Sequence, residues 1–124
     1  MSLIRTHTYL KYARINLQEA EAALAESKPE RCAAKVSDVY TALIKAVAAA
    51  LPMVKRDFFK MTDRELLQHI SDLTDNEDSA VQIASFLSQI RTECQAETIE
   101  AADAGAALSV AGQAFSLLHD LFTR

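Results

Sequence analysis

Few side chains in this sequence have the chemistry to act on a substrate: three histidines, two cysteines and a scatter of arginines. His7, His69 and His119 lie far apart along the chain. His69 follows Glu65 at i,i+4, but a carboxylate-bridged metal pair in a helical bundle needs Glu-x-x-His, twice. That motif is missing, as is His-Glu-x-x-His, so no metal site is expected. ELLQHISDL around His69 is the one segment to weigh as a phosphorelay histidine, yet the lysine and small residues that support a phosphoryl group do not follow it. His119-Asp120 resembles the dipeptide of metal-dependent phosphohydrolases but has no upstream ligands. Cys32 and Cys94 sit among apolar residues, outside any Cys-x-x-Cys, where a thiol serves as a small hydrophobe. Glycine occurs only at 105 and 112, which rules out a glycine-rich phosphate loop. No catalytic residue and no cofactor are expected.

Arginine is more informative. Arg91 closes an apolar helical run and is the only base between Glu65 and Phe122. It either pairs with a carboxylate such as Glu93 or Asp103, or serves a site. The other basic feature is PMVKRDFFKMT, where Lys55, Arg56 and Lys60 interleave with Met53, Phe58, Phe59 and Met61, and Arg64 follows. Arginine forks two phosphate oxygens and lysine offers a point charge, so these cations suit phosphates or an acidic partner. Phe58 and Phe59 either stack a base, fill a partner's pocket, or plug the end of the fold. Net charge is −4, unevenly spread. Residues 1–64 carry eleven Lys/Arg against seven Asp/Glu, and residues 65–124 carry two against ten. A basic half suits a nucleic-acid surface, although interleaved halves would partly neutralise each other.

The elements that must position these residues read as five helices. Leu10, Ala13, Leu17, Ala20 and Leu24 alternate at spacings of three and four and predict one over about 6–26, with Arg14 and Glu21 in solvent. Ser27-Lys28-Pro29-Glu30 reads as a capping box opening the second. This runs to Pro52 through Val36, Tyr40, Leu43, Val47 and Leu51, with alanines widening its apolar surface, so it is expected at the centre. Thr62-Asp63-Arg64-Glu65 caps a short helix carrying Leu66, Leu67, Ile70 and Leu73. The fourth, about 79–95, presents Ile83, Leu87, Ile90 and Cys94. The fifth, about 98–122, holds Gly105 and Gly112, each costing roughly 1 kcal/mol against alanine. That cost suggests close approach by another helix, from inside the bundle or from a second subunit.

With two glycines, two prolines and 22 alanines in 124 residues, many short strands are excluded. The expectation is all-α: a single domain over 1–124, an up-and-down bundle of four to five antiparallel helices. The N-terminal MSLIRTHTYLKYARINLQEA has no apolar signal region, and no uncharged apolar run approaches the roughly 18 residues of a membrane span. No membrane association is expected, and a reducing cytoplasm is the default location.

The order of these segments resembles the HEPN (higher eukaryotes and prokaryotes nucleotide-binding) superfamily over nearly the whole chain. YLKYARINLQEAEAALAES is similar to the family's opening helix. PERCAAKVSDVYTALIKAVAAAL is similar to its central one, with Tyr40, Ala42 and Ala46 in place. A short middle helix, a helix ending in FLSQIRTE and a last alanine-rich helix follow in order. The resemblance implies a helical bundle that dimerises and works near nucleotides or RNA. It implies, for catalytic members, a metal-independent ribonuclease using Arg-x4-6-His. Arg91 falls on the arginine position, but Ala96, Glu97 and Thr98 occupy the histidine slots. A group titrating near neutral pH is therefore missing from the place where proton transfer would need it.

The resemblance then implies the non-catalytic branch, whose members partner small nucleotidyltransferases in two-gene, toxin–antitoxin-like systems. In that setting Arg91, Lys55, Arg56, Lys60, Arg64 and Phe58 are the expected nucleotide- or partner-binding residues. Gly105 and Gly112 are the expected dimer interface. The alternatives are a HEPN ribonuclease with a degenerate active site and a generic helical homodimeric interaction module.

Overall fold

A computed structural model describes residues 3–95 and 99–123. Ala96, Glu97 and Thr98, the positions of the expected histidine, lie outside the described residues. The described residues contain no strand and form an all-α bundle: α1 (Ile4–Ala25), α2 (Pro29–Ala50), α3 (Lys55–Lys60), α4 (Asp63–Leu73), α5 (Glu77–Gln95), a 3-10 turn (Ala101–Asp103) and α6 (Ala104–Phe122). That is one more helix than the periodicity predicts. The addition, α3, is only six residues long, too short for a 3.6-residue period to be read.

α1 and α2 form a long antiparallel hairpin. Thr6 Oγ1 donates to the Ala46 carbonyl at 2.9 Å, and Glu19 pairs with Lys35 at 2.6 Å near the opposite end. The buried face of α1 holds Leu10, Ala13, Leu17 and Ala20 as expected, but Ala23 replaces Leu24, which is exposed. Apolar residues at an average spacing of 3.5 drift about 20° per heptad around a 3.6-residue helix. By the last turn that drift has carried Leu24 off the seam.

The hairpin loop also departs from expectation. Ser27 has φ 60 and makes no capping box. Instead Ser27 N–H donates to Leu24 O at 3.1 Å and Lys28 N–H to Ala23 O at 2.8 Å, a Schellman closure of α1. A residue held at positive φ ends a helix; it cannot point its hydroxyl back into the next one. The second expected cap does form. Glu65 N–H donates to Thr62 Oγ1 at 3.2 Å and Thr62 N–H to Glu65 Oε1 at 3.5 Å, opening α4. Asn76 Oδ1 accepts from Ser79 N–H at 3.0 Å and caps α5.

α2 is the central helix, packed by α1, α3, α5, α6 and the 3-10 turn. Val36, Val39, Tyr40, Leu43, Ile44 and Val47 are all buried along it. Tyr40 Oη donates to Ala107 O at 2.9 Å, tying α2 to α6 in the interior. α6 returns against α1, with Gly105 beside Leu24 at one end and Arg14 beside His119 at the other. Among the described residues, Ala101–Phe122 is the one helical stretch long and apolar enough to cross a membrane, by length and composition alone. Its buried positions, Ala104, Ala107, Ala111, Ala114, Leu118 and Phe122, recur every three or four residues, as in a bundle helix.

Candidate functional site

Arg91 is set by α5 beneath the junction of α3 and α4, with only 9% of its surface exposed. Its Nη1 donates to Met61 O at 2.6 Å and Phe58 O at 3.3 Å, and its Nη2 to Asp63 Oδ1 at 2.5 Å. Ser88 Oγ donates to the same carboxylate oxygen at 2.9 Å. The guanidinium carbon lies 5.7 Å from the Phe58 ring centroid. The partner is therefore Asp63, not Glu93 or Asp103. The reason lies in the end of α3. Phe58 O accepts only a long backbone bond from Met61 N–H, at 3.3 Å, and Met61 lies just past the last turn. A cation there adds a donor to both carbonyls and opposes the negative end of the helix. The guanidinium is turned inward and committed to backbone and Asp63.

Phe58 is fully buried beside it, edge-on to Phe59 with centroids 6.1 Å apart. The expectation that Phe58 contacts a base or partner is corrected: it is the plug that fixes α3 to the bundle. Phe59 is half-buried, and the Lys55 ammonium sits 5.9 Å from its ring centroid. Lys55, Arg56 and Lys60 are exposed along α3, and Arg64 on the first turn of α4. α3 thus has two sorts of cation about it: Arg91 inside at its C-terminal end, and its own lysines and arginine outside.

The two glycines are placed differently from a tight helix crossing. A Cβ built on Gly112 would meet nothing within 4 Å, and one on Gly105 would reach only Leu24 Cδ2 at 4.0 Å. No approach within the bundle explains them, which corrects that half of the expectation. Gly112 lies on an open groove of about 630 Å³ between α1, α5 and α6, beside Glu21, Phe86, Leu108 and Leu117.

A second groove, of about 320 Å³, lies where the start of α1, the end of α2 and the start of α3 meet. Arg5, Tyr9, Lys45 and Lys55 line it, with Met53 and Val54 on its apolar side. Lys45 Nζ stands 6.0 Å from the Tyr9 ring centroid. No carboxylate lines this groove. Of the expected binding residues it contains Lys55 alone, and it adds Arg5, Tyr9 and Lys45, which sequence reasoning passed over. One signal was available. Lys45 is the lone charge in VYTALIKAVAAAL, and an antiparallel hairpin folding at Ser27 brings it level with the start of α1.

Other titratable groups serve the fold. Burial pushes the Cys94 thiol up to about 12, and it raises the Tyr40 phenol well above its ordinary value. His119 lies 3.3 Å from Arg14 and against Phe115 on the α1–α6 surface, His7 is exposed, and His69 is half-buried on α4. Among the described residues no three His, Cys, Asp or Glu side chains gather as metal ligands.

Fold and site together define an all-α bundle carrying an exposed basic groove. No protein-family model, curated protein or solved structure matches the chain.

Proposed function

We propose that this chain is a non-catalytic, HEPN-like binding protein of the cytoplasm, acting on a phosphate-bearing ligand. The ligand is a nucleotide or RNA, met alone or with a small nucleotidyltransferase partner in a two-gene, toxin–antitoxin-like arrangement. The observation that carries this reading is the fate of Arg91. A ribonuclease arginine must face the scissile phosphate, whereas this one is spent on Phe58 O, Met61 O and Asp63. Exposed cations on α1, α2, α3 and α4 remain to hold a phosphate without cleaving it. The open groove at Gly112 supports a homodimer, since a glycine in mid-helix with no neighbour in its own subunit is left for another surface.

Incubation with assorted RNAs tests the first claim. The RNA is expected to stay intact while a fluorescent oligonucleotide is bound, with affinity falling as salt rises. Cleavage by the wild type that is lost in Arg91→Ala, at a temperature where melting curves show that variant folded, would overturn it. Nucleotide at millimolar concentration should also raise the melting temperature, because a ligand that favours the native state must do so. For the dimer, light scattering should report about twice 13.6 kDa; a monomer at high concentration would remove that part of the reading.

A further inference from the structure

Building on that reading, we propose that the groove between α1, α2 and α3 is a site for single-stranded nucleic acid. Arg5, Lys45 and Lys55 hold its phosphates there, and Tyr9 receives a base.

Three helices contribute one cation each to the same small concavity, and no acid lines it. Gathering like charges costs stability, and the described cations that do form ion pairs, Lys28, Lys35 and Arg91, all lie outside this groove. Lys28 bonds Glu26 at 3.3 Å and Lys35 bonds Glu19 at 2.6 Å at the opposite end of the hairpin. Among the described residues Arg5, Lys45, Lys55, Arg56, Lys60 and Arg64 form no ion pair. Asp57, exposed on α3, does not line the groove. The groove itself is thus lined by positive charge alone, which attracts a polyanion.

The groove also carries an aromatic ring and an apolar wall, and these distinguish one polyanion from another. Tyr9 is half-buried, and Val54 is 52% exposed. Lys45 lies over the Tyr9 ring, so turning Lys45 onto a phosphate uncovers that face for stacking. Cations set beside a flat ring match a strand whose bases are free, because each phosphate there has an unpaired base next to it. A duplex keeps its bases inside and would leave Tyr9 unused. A volume of about 320 Å³ sits at the small end of ligand sites, roughly 300–1,000 Å³, and suits one nucleotide. Beyond Lys55, the cations Arg56, Lys60 and Arg64 carry positive charge about 7.5 Å and more along α3 and past it. A mononucleotide would not use that extension; a strand of several nucleotides would.

The test is fluorescence anisotropy with a labelled single-stranded RNA 12-mer, competed by the same sequence as a duplex, by ATP and by polyglutamate. The wild type should prefer the single strand over all three competitors. For three phosphate contacts log Kd should rise with log salt with a slope of about 2. Arg5→Glu and Lys45→Glu should each lower affinity and flatten that slope. Tyr9→Leu, which keeps apolar volume while removing the ring, should weaken binding roughly ten-fold, and Tyr9→Phe should restore it. Melting curves establish that each variant is folded. No binding of any nucleic acid or nucleotide would overturn the functional reading itself. Binding that ignores Arg5, Tyr9 and Lys45 but is lost in Lys60→Glu/Arg64→Glu would overturn the groove alone. Equal competition by duplex or by polyglutamate would overturn the single-strand assignment.

Discussion

Arg91 and the trio Arg5, Lys45 and Lys55 are cations at the two ends of one short helix, and they have opposite fates. Arg91 is buried, its guanidinium bonded to Phe58 O, Met61 O and Asp63 at the C-terminal end of α3. The trio stands around the N-terminal end of α3 with no acid lining its groove. The contrast teaches that the motif position of an arginine does not decide its role; its burial and its bonded partners do. A cation whose donors are consumed by the fold stabilises the fold. A cation left unpaired costs the fold something and is available to a ligand. The two are linked, because the Arg91 anchor fixes the helix that carries Lys55 into the groove.

The largest expected effect breaks the anchor. Arg91→Ala removes the cation from buried carbonyls and should destabilise by about 3 kcal/mol. That is a fall in melting temperature of roughly 10 °C for a domain of this size. Arg91→Lys, which loses the fork, should recover only part of it. Urea and thermal melts decide; a loss below about 0.5 kcal/mol would mean that Arg91 is not structural.

Alkali tests the buried interior. Cys94 titrates near 12 in the folded chain against an ordinary 9.0 because burial disfavours its thiolate, and Tyr40 is raised in the same direction for the same reason. An acid with a raised folded pKa binds its proton more tightly in the native state. Its contribution is therefore full below pH 9 and is lost as pH climbs from there towards 12, by at most about 1.4 kcal/mol per pH unit per group. Melts in alkaline buffer should show that decline, and Cys94→Ala should make it shallower.

A smaller change calibrates stability apart from binding. Ser27 sits at φ 60 far from the groove, and a side chain in that region costs roughly 1 kcal/mol or more that glycine does not incur. Ser27→Gly should raise the melting temperature by about 3–5 °C and leave affinity for RNA untouched. The smallest effects belong to the trio itself. Arg5→Ala, Lys45→Ala and Lys55→Ala should each move stability by less than about 0.5 kcal/mol. A loss of several kcal/mol from any of them would erase the distinction between the two ends of α3.

How much of this was legible in the sequence differs from element to element. The all-α class, the central place of α2 and the Thr62 cap were legible because they depend on composition, period and neighbouring residues. The Ser27 box failed because a hydroxyl before Pro29 looks the same whether its residue ends one helix or begins the next, and φ decides. α3 was hidden because six residues do not complete two helical turns. Arg91 stood out as the one Lys or Arg between Glu65 and Phe122, but its partner Asp63 is 28 residues away and belongs to the far side of an antiparallel pair. Its orientation was beyond local reasoning for that reason. Phe58 was ambiguous between core and ligand until packing placed it inside. Arg5, Tyr9 and Lys45 needed hairpin register, which follows from the position of the turn and not from the residues themselves.

A single strand held on the proposed Arg5–Tyr9–Lys45–Lys55 groove would lie apart from the buried Arg91. Photo-crosslinking of a 4-thiouridine-containing RNA 12-mer, mapped by mass spectrometry, reads that placement directly. Crosslinks are expected at Tyr9 and at the adjoining Met53–Lys55 segment, diminished in Arg5→Glu/Lys45→Glu. Crosslinks clustered around Arg91 on α5, undiminished in that double variant, would contradict it.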